Sequence, residues 1–255
     1  MTEIIMNYCS KAMSRHVTVH VLLPFDSFHE GRCPAPPYKT LYFLNGYTAS
    51  AQQVLSTVNL TVWAQQYGFA VVLPDGENSF YVDQPARNTL YGTYVSRELV
   101  EVTRKLFPLS DKREDTYLGG ISMGGFGALM QGGHNVDTFS KIIALSPAAH
   151  PYDMVNQGCL PSAEIDAVFG GRERYMEEFD PLRLLVRAKK MGKAVPKIFL
   201  CCGTDDQLTY RVDCALRDNL VKADICVVYS EGPGAHNSFY WNKVLPEAMA
   251  FLAGE

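Results

Sequence analysis

The sequence predicts an α/β fold, with a mostly parallel central sheet of about eight strands flanked by helices. Three observations carry that expectation. Short apolar runs, such as residues 38–44 and 69–73, have the length and the Val, Leu, Phe and Tyr content of strands buried on both faces. Between them lie segments such as Val95, Leu99, Val102 and Leu106, whose apolar residues recur at helical spacing. That alternation of strand and helix implies parallel strands joined by helical crossovers. The third observation is residues 115–130, where an apolar run meets a cluster of glycines and passes at once into a helix-compatible segment.

Taken in order, Val17, Val19, Val21 and Leu23 alternate with Thr18, His20 and Leu22 as a half-buried strand that Pro24 ends. Residues 25–37, with Gly31, Pro34, Pro36 and Pro37, read as a loop. After strand 38–44, Ser50 is placed to cap a helix through Val54, Val58, Val62 and Trp63 to Gly68. Strand 69–73 turns at Pro74-Asp75-Gly76 into a polar and aromatic loop, 77–88, whose Ser79, Phe80 and Tyr81 are candidates for lining a substrate cleft. The helix through Val95 and Leu106 stops at Pro108. Strands 117–121 and 140–145 follow. Residues 148–191 show no strand signal and read as an insertion packed over the active-site end, with Asp180-Pro181 starting a helix. Strand 197–202, helix 212–221, strand 225–229 and helix 241–252 complete the chain. No linker or internal repeat divides it, so residues 1–255 are expected to form one domain whose N-terminal part pairs antiparallel.

At 255 residues and 47% hydrophobic, the chain can bury a substantial core. A net charge of −4 gives no basic footprint for nucleic acid or an anionic membrane. No apolar run reaches the length of a membrane span, and residues 1–23 lack the apolar core of a secretory signal. Seven cysteines, an odd number without C-x-x-C or Cys/His metal spacing, point to a reducing compartment, hence the cytoplasm, and to no metal.

Gly120-Ile121-Ser122-Met123-Gly124 fits G-x-S-x-G in the strand–turn–helix setting that gives the motif meaning. A serine on a tight, strained turn projects its hydroxyl above the sheet, and flanking glycines let the backbone close around it. The helix that follows aims unpaired N–H groups at charge developing on a substrate oxygen. A plain packing turn is the simpler alternative. A nucleotide loop is excluded, because G-x-x-x-x-G-K-[ST] is absent and Met130 stands where a third glycine would be needed.

A serine nucleophile needs a base and an orienting acid. After strand 197–202 the chain offers Asp205 and Asp206, only one of which should meet the base; a solvated turn suits the other. His236, in the loop 232–238 after the last strand, is the sole histidine beyond them, whereas His16, His20, His29 and His134 read as surface or loop residues and His150 as cleft-lining. One oxyanion donor is expected to be the Met123 N–H. The other is expected from the loop after strand 38–44, the Tyr47 N–H, with Gly46 giving the backbone room.

These residues resemble the esterase D-like branch of the α/β-hydrolases, which includes bacterial tributyrin esterases, S-formylglutathione hydrolases, and acetyl-xylan and feruloyl esterases. The resemblance runs through Leu41-Tyr-Phe-Leu-Asn-Gly46, Pro74-Asp-Gly76 with Ser79-Phe-Tyr81, Gly120 to Ala128, Cys202-Gly-Thr-Asp-Asp206 and His236 to Trp241, nearly the whole chain. It implies an α/β-hydrolase fold and a cofactor-free serine carboxylesterase acting on a small ester. Ser122, His236 and Asp206 would form the triad, Asp206 being preferred over Asp205 by the family's G-x-x-D. The compact length and Ser-Phe-Tyr loop look most like the tributyrin esterase group, which implies short acyl chains and a dimer or tetramer. Trp241, Phe239 or Tyr240 would supply the aromatic wall. Two positions depart from the pattern: Asn45 stands where many relatives carry His, and Ser238 where carbohydrate esterases often have Trp. S-formylglutathione hydrolysis, acetyl or feruloyl removal from plant fragments, acyl transfer to an alcohol, and a non-catalytic binding module remain the alternative readings.

Overall fold

The central sheet starts with an antiparallel ribbon, Thr2–Ser10 (β1) paired along its whole length with Arg15–Leu23 (β2). The computed structural model describes residues 1–26 and 33–255, so His29 and Gly31 lie outside it. Thr40–Leu44 (β3), Ala70–Pro74 (β4), Thr116–Ile121 (β5), Lys141–Leu145 (β6), Lys197–Gly203 (β7) and Val227–Gly232 (β8) complete eight strands in the order β1-β2-β4-β3-β5-β6-β7-β8. β2 pairs antiparallel with β4, and the strands from β4 to β8 are mutually parallel. This is the α/β-hydrolase arrangement. From β3 the chain steps one way to β4, then returns to lay β5 on the other side of β3. Ligand crevices form at such reversals, outside the carboxyl ends of the strands. Gly46 follows β3 and Ser122 follows β5, which puts both at this reversal.

Helices cover both faces of the sheet, each over its own apolar layer. Ala51–Thr57 (α1), Leu60–Tyr67 (α2) and Ser238–Ala253 (α9) pack Val54, Leu60, Val244, Leu245 and Met249 on one side. Leu99–Leu106 (α3), Met123–His134 (α4), Pro181–Lys190 (α7) and Tyr210–Lys222 (α8) pack Leu99, Phe126, Leu129, Leu185 and Leu220 on the other. Residues 148–191 are helical rather than extended, with Pro151–Asn156 (α5), Ser162–Phe169 (α6), a wide turn at Tyr175–Phe179, and α7.

Two sequence expectations change. The helix expected from Ser50 to Gly68 is broken: Ser50 does cap α1, but Val58 is extended and α2 begins afresh at Leu60. Asn242 on α9 closes the gap, accepting the Asn59 N–H at 2.8 Å and donating to the Thr57 carbonyl at 2.8 Å. His20 is not a surface residue. It is buried in β2, where its Nδ1 meets the Glu3 carboxylate at 2.7 Å.

Candidate active site

Ser122 occupies the corner between β5 and α4 with φ 55° and ψ −116°, a left-handed conformation that a side chain adopts only under constraint. The constraint is visible in its hydrogen bonds. The Ser122 N–H donates to the Leu145 carbonyl at 2.9 Å, and its carbonyl accepts from Phe126 and Ala148, both at 3.0 Å. The motif glycines answer to close approach. A Cβ at Gly124 would lie 2.1 Å from the Leu44 carbonyl oxygen, and one at Gly120 would lie 2.4 Å from the Gly124 backbone. Without a side chain at either position, α4 seats directly on β3 and β5.

The loop after β3 closes against this corner: a Cβ on Gly46 would sit 3.5 Å from that of Ser122. Among the described residues, neither the Tyr47 nor the Met123 N–H donates to another protein group. Asn45 holds the loop from beneath. Its amide donates to the Gly46 and Ala49 carbonyls at 3.0 and 2.7 Å, while its Oδ1 accepts the Gly76 N–H at 2.8 Å. The Tyr81 hydroxyl donates to the Asn45 carbonyl at 2.9 Å. This corrects the expectation for residues 79–81. Tyr81 and Phe80 are buried under the Asn45 loop, and Ser79 is turned inward with its Oγ donating to the Gly76 carbonyl at 2.6 Å, so none of the three lines the cleft. The Tyr47 ring leans on Phe80, and its hydroxyl donates to Glu164 of α6 at 2.5 Å.

On the far side of Ser122, the Asp206 and His236 side chains meet at 2.7 Å between Oδ2 and Nδ1. Asp206 is buried and fully engaged. Its Oδ1 accepts the Leu208 and Thr209 N–H groups at 3.0 Å each, and its Oδ2 also accepts the Thr209 hydroxyl at 2.9 Å. Burial alone would raise this carboxyl, but its bond to His236, the charge there and the Thr209 bonds hold it below the usual carboxylate range. Asp205 turns away and accepts the Gly234 N–H at 3.0 Å. Thr209 carried no motif signal; only its position three residues after Asp206 hinted at a turn donor.

Ser122, His236, Gly46, Tyr47 and Trp241 line one cavity of about 170 Å³, completed by Val54, Thr57, Val58 and Ile121. A larger cavity, about 450 Å³, lies between α5, α7 and α8 and is lined by His150, Asp153, Asp180 and Arg211. Size favours the second, but the nucleophilic and basic groups converge in the first. His150 caps α5, its Nδ1 accepting the Asp153 N–H at 3.2 Å.

The esterase family model, described as "Putative esterase", matches residues 10–252. The chain belongs to this family. Within the esterases, it is 33% identical over 261 residues to an acetyl esterase of Caldicellulosiruptor saccharolyticus, covering 97% of each chain. An S-formylglutathione hydrolase of Paracoccus denitrificans is 31% identical over 56% of each. Among solved structures, the substrate-bound fluorophosphonate-binding serine hydrolase F of Staphylococcus aureus superposes with a TM-score of 0.88 at 27% identity, covering 100% of this chain and 99% of that one. The S-formylglutathione hydrolase of the same organism gives 0.83 at 27% identity, covering 99% and 98%. This esterase is accordingly a carboxylic ester hydrolase. No helix among its described residues is long and apolar enough to cross a membrane.

Behind the acid lies a second carboxyl. Asp213 of α8 is fully buried, and neither of its oxygens has a hydrogen-bond partner among the described residues. Burial pushes it well above the usual carboxylate range, with the nearby Asp206 charge adding to the rise. An aspartate raised in the folded state favours folding below its unfolded value of about 3.9, and that contribution is lost as pH climbs toward the folded value. Asp213→Asn, which is neutral throughout, should therefore gain in urea midpoint relative to wild type as pH rises above about 3.9. A difference in midpoint that does not change with pH would show that folding does not raise the Asp213 carboxyl.

Proposed function

We propose that this esterase is a single-domain serine carboxylesterase that releases short acyl groups through a covalent acyl-enzyme. Ser122 attacks the ester carbonyl while His236 takes its proton, and Asp206 fixes the imidazole tautomer and steadies the imidazolium. The Tyr47 and Met123 N–H groups receive the oxyanion, an interaction whose loss typically costs about 3–4 kcal/mol per donor. His236 then gives its proton to the leaving alcohol and activates the water that frees the acid. No step calls for a cofactor. The observation that carries this reading is the 2.7 Å Asp206–His236 bond, with His236 and Ser122 on one cavity.

The size of that cavity supports a short acyl chain. At about 170 Å³ it is close to the engineered apolar cavity of about 150 Å³ that just holds benzene. An acetyl or butyryl group fits such a space, and a long chain has to leave it. The acetyl esterase relative favours acetyl as the native group, and the S-formylglutathione hydrolases make a formyl thioester the second candidate. Seven unpaired cysteines suit a cytoplasmic setting.

The test is intact mass after a fluorophosphonate probe, beside kcat/KM for p-nitrophenyl esters of increasing length. One adduct is expected, with acetate and butyrate at least roughly tenfold ahead of decanoate. Folded protein that neither labels nor turns over esters would favour the binding-module alternative; a flat chain-length series would remove the short-acyl assignment alone.

A further inference from the structure

His236 is tied to Asp206 through one ring nitrogen, and a single hydrogen bond leaves an imidazole free to swing about that bond. We propose that Trp241, anchored by Ser146, is the positioning pair that fixes the His236 ring for Ser122; this rests on the triad reading above.

Four features bring the three residues together. Asn237 caps α9, its Oδ1 accepting the Phe239 and Tyr240 N–H groups at 3.1 and 3.3 Å, so Trp241 lies in the first turn, close behind His236. The two rings meet edge-on, their centroids 5.2 Å apart and their planes at 87°. The indole is held in turn, because Trp241 Nε1 donates to Ser146 Oγ at 3.1 Å. Ser146 itself is fully buried at the end of β6, its N–H donating to the Cys201 carbonyl at 2.8 Å.

The backbone of Ser146 adds an independent sign. Its φ is 44°, a conformation suited to glycine, yet serine stands there and delivers a hydroxyl to the indole. Strain of this kind persists where surrounding structure imposes it, and here it supplies the anchor for a ring that touches the base. Trp241 also walls the 170 Å³ cavity, so the surface that meets substrate and the surface that steadies the base belong to one side chain. Small displacements matter at this point: a misplacement of about 1 Å can cost on the order of 10²-fold in rate.

Ser146→Ala and Trp241→Phe remove the anchor from opposite ends. Each is expected to lower kcat by about tenfold on p-nitrophenyl acetate, with KM changed by no more than about twofold for Ser146→Ala. The double variant should be no slower than Trp241→Phe alone, since one bond is lost only once. Ser146→Gly separates positioning from stability, because glycine accepts the backbone angle: activity should fall as in Ser146→Ala while the melting temperature does not drop below that variant's. A spectroscopic readout completes the set. Trp63 and Trp241 are the two tryptophans, so Trp63→Phe leaves emission from Trp241 alone. That emission should be quenched as the neighbouring imidazole protonates, in step with the acid limb of kcat/KM, and His236→Gln should abolish the transition.

Normal wild-type turnover with unchanged kcat in both Ser146→Ala and Trp241→Phe would overturn the proposal alone, as would Trp241 emission that is flat where the acid limb falls. A wild type that neither labels nor turns over esters would sink the triad reading, and the proposal with it.

Discussion

Ser122→Ala is expected to lower kcat on p-nitrophenyl acetate by on the order of 10⁶-fold and to abolish fluorophosphonate labelling. His236→Ala should cost about as much, and the double variant little more, because nucleophile and base act as one unit. What survives should be the modest acceleration that binding and the oxyanion donors supply without a nucleophile. The substitution is mild for the fold. Ser122 makes its structural bonds through its backbone N–H and carbonyl, and alanine retains both. Circular dichroism should therefore match wild type while turnover vanishes. Activity above about one-hundredth of wild type in a clean Ser122→Ala preparation would move the nucleophile elsewhere.

Asp206→Asn is expected to reduce kcat by about 10⁴-fold, and Asp205→Asn by less than tenfold. The contrast follows from what each carboxylate holds. Asp206 takes the His236 Nδ1 and three donors from 208–209, whereas Asp205 takes the Gly234 N–H. An asparagine at 206 can turn its amide N–H toward Nδ1, which strands the proton on the nitrogen that should serve Ser122. Stability should change as well, with a definite sign. The folded Asp206 carboxyl lies below its unfolded value, so its contribution is present above about pH 3.9 and disappears as pH falls through the lower folded value. The wild-type advantage over Asp206→Asn in urea unfolding should thus narrow in acid. Equal activity losses at 205 and 206 would contradict the assignment.

Much of this was legible in the amino-acid order. The parallel strands read as short apolar runs because both of their faces are covered. Gly120, Gly124 and the Ser–Asp–His order along the chain led to side chains that the fold brings to one end of the sheet. The misreadings share a cause, which is a partner far away in sequence. Nothing near residue 58 says that α1 must end there; Asn242 on α9 makes the break tolerable. Tyr81 looked like a cleft residue because it follows a turn, but its hydroxyl belongs to Asn45, 36 residues earlier. β1 carried no clear alternation because Ile5 lies on its exposed side between Ile4 and Met6, which with Tyr8 pack against the core while the strand pairs with β2. Ser146 was simply a serine before a proline until the fold set it under Trp241.

The strand order also carries a message about time. The proposed oxyanion loop follows β3 and the proposed nucleophile follows β5, whereas the proposed base, His236, comes after β8, an edge strand that pairs only with β7 among the described residues. A ribosome working at about 5–20 residues per second delivers that histidine after all eight strands of the sheet. Until then Ser122 lacks its proposed base, and the pocket lacks the wall that Trp241 of α9 supplies. On the proposed triad, hydrolytic power waits for residues 227–255, which bring the base and the α9 layer together.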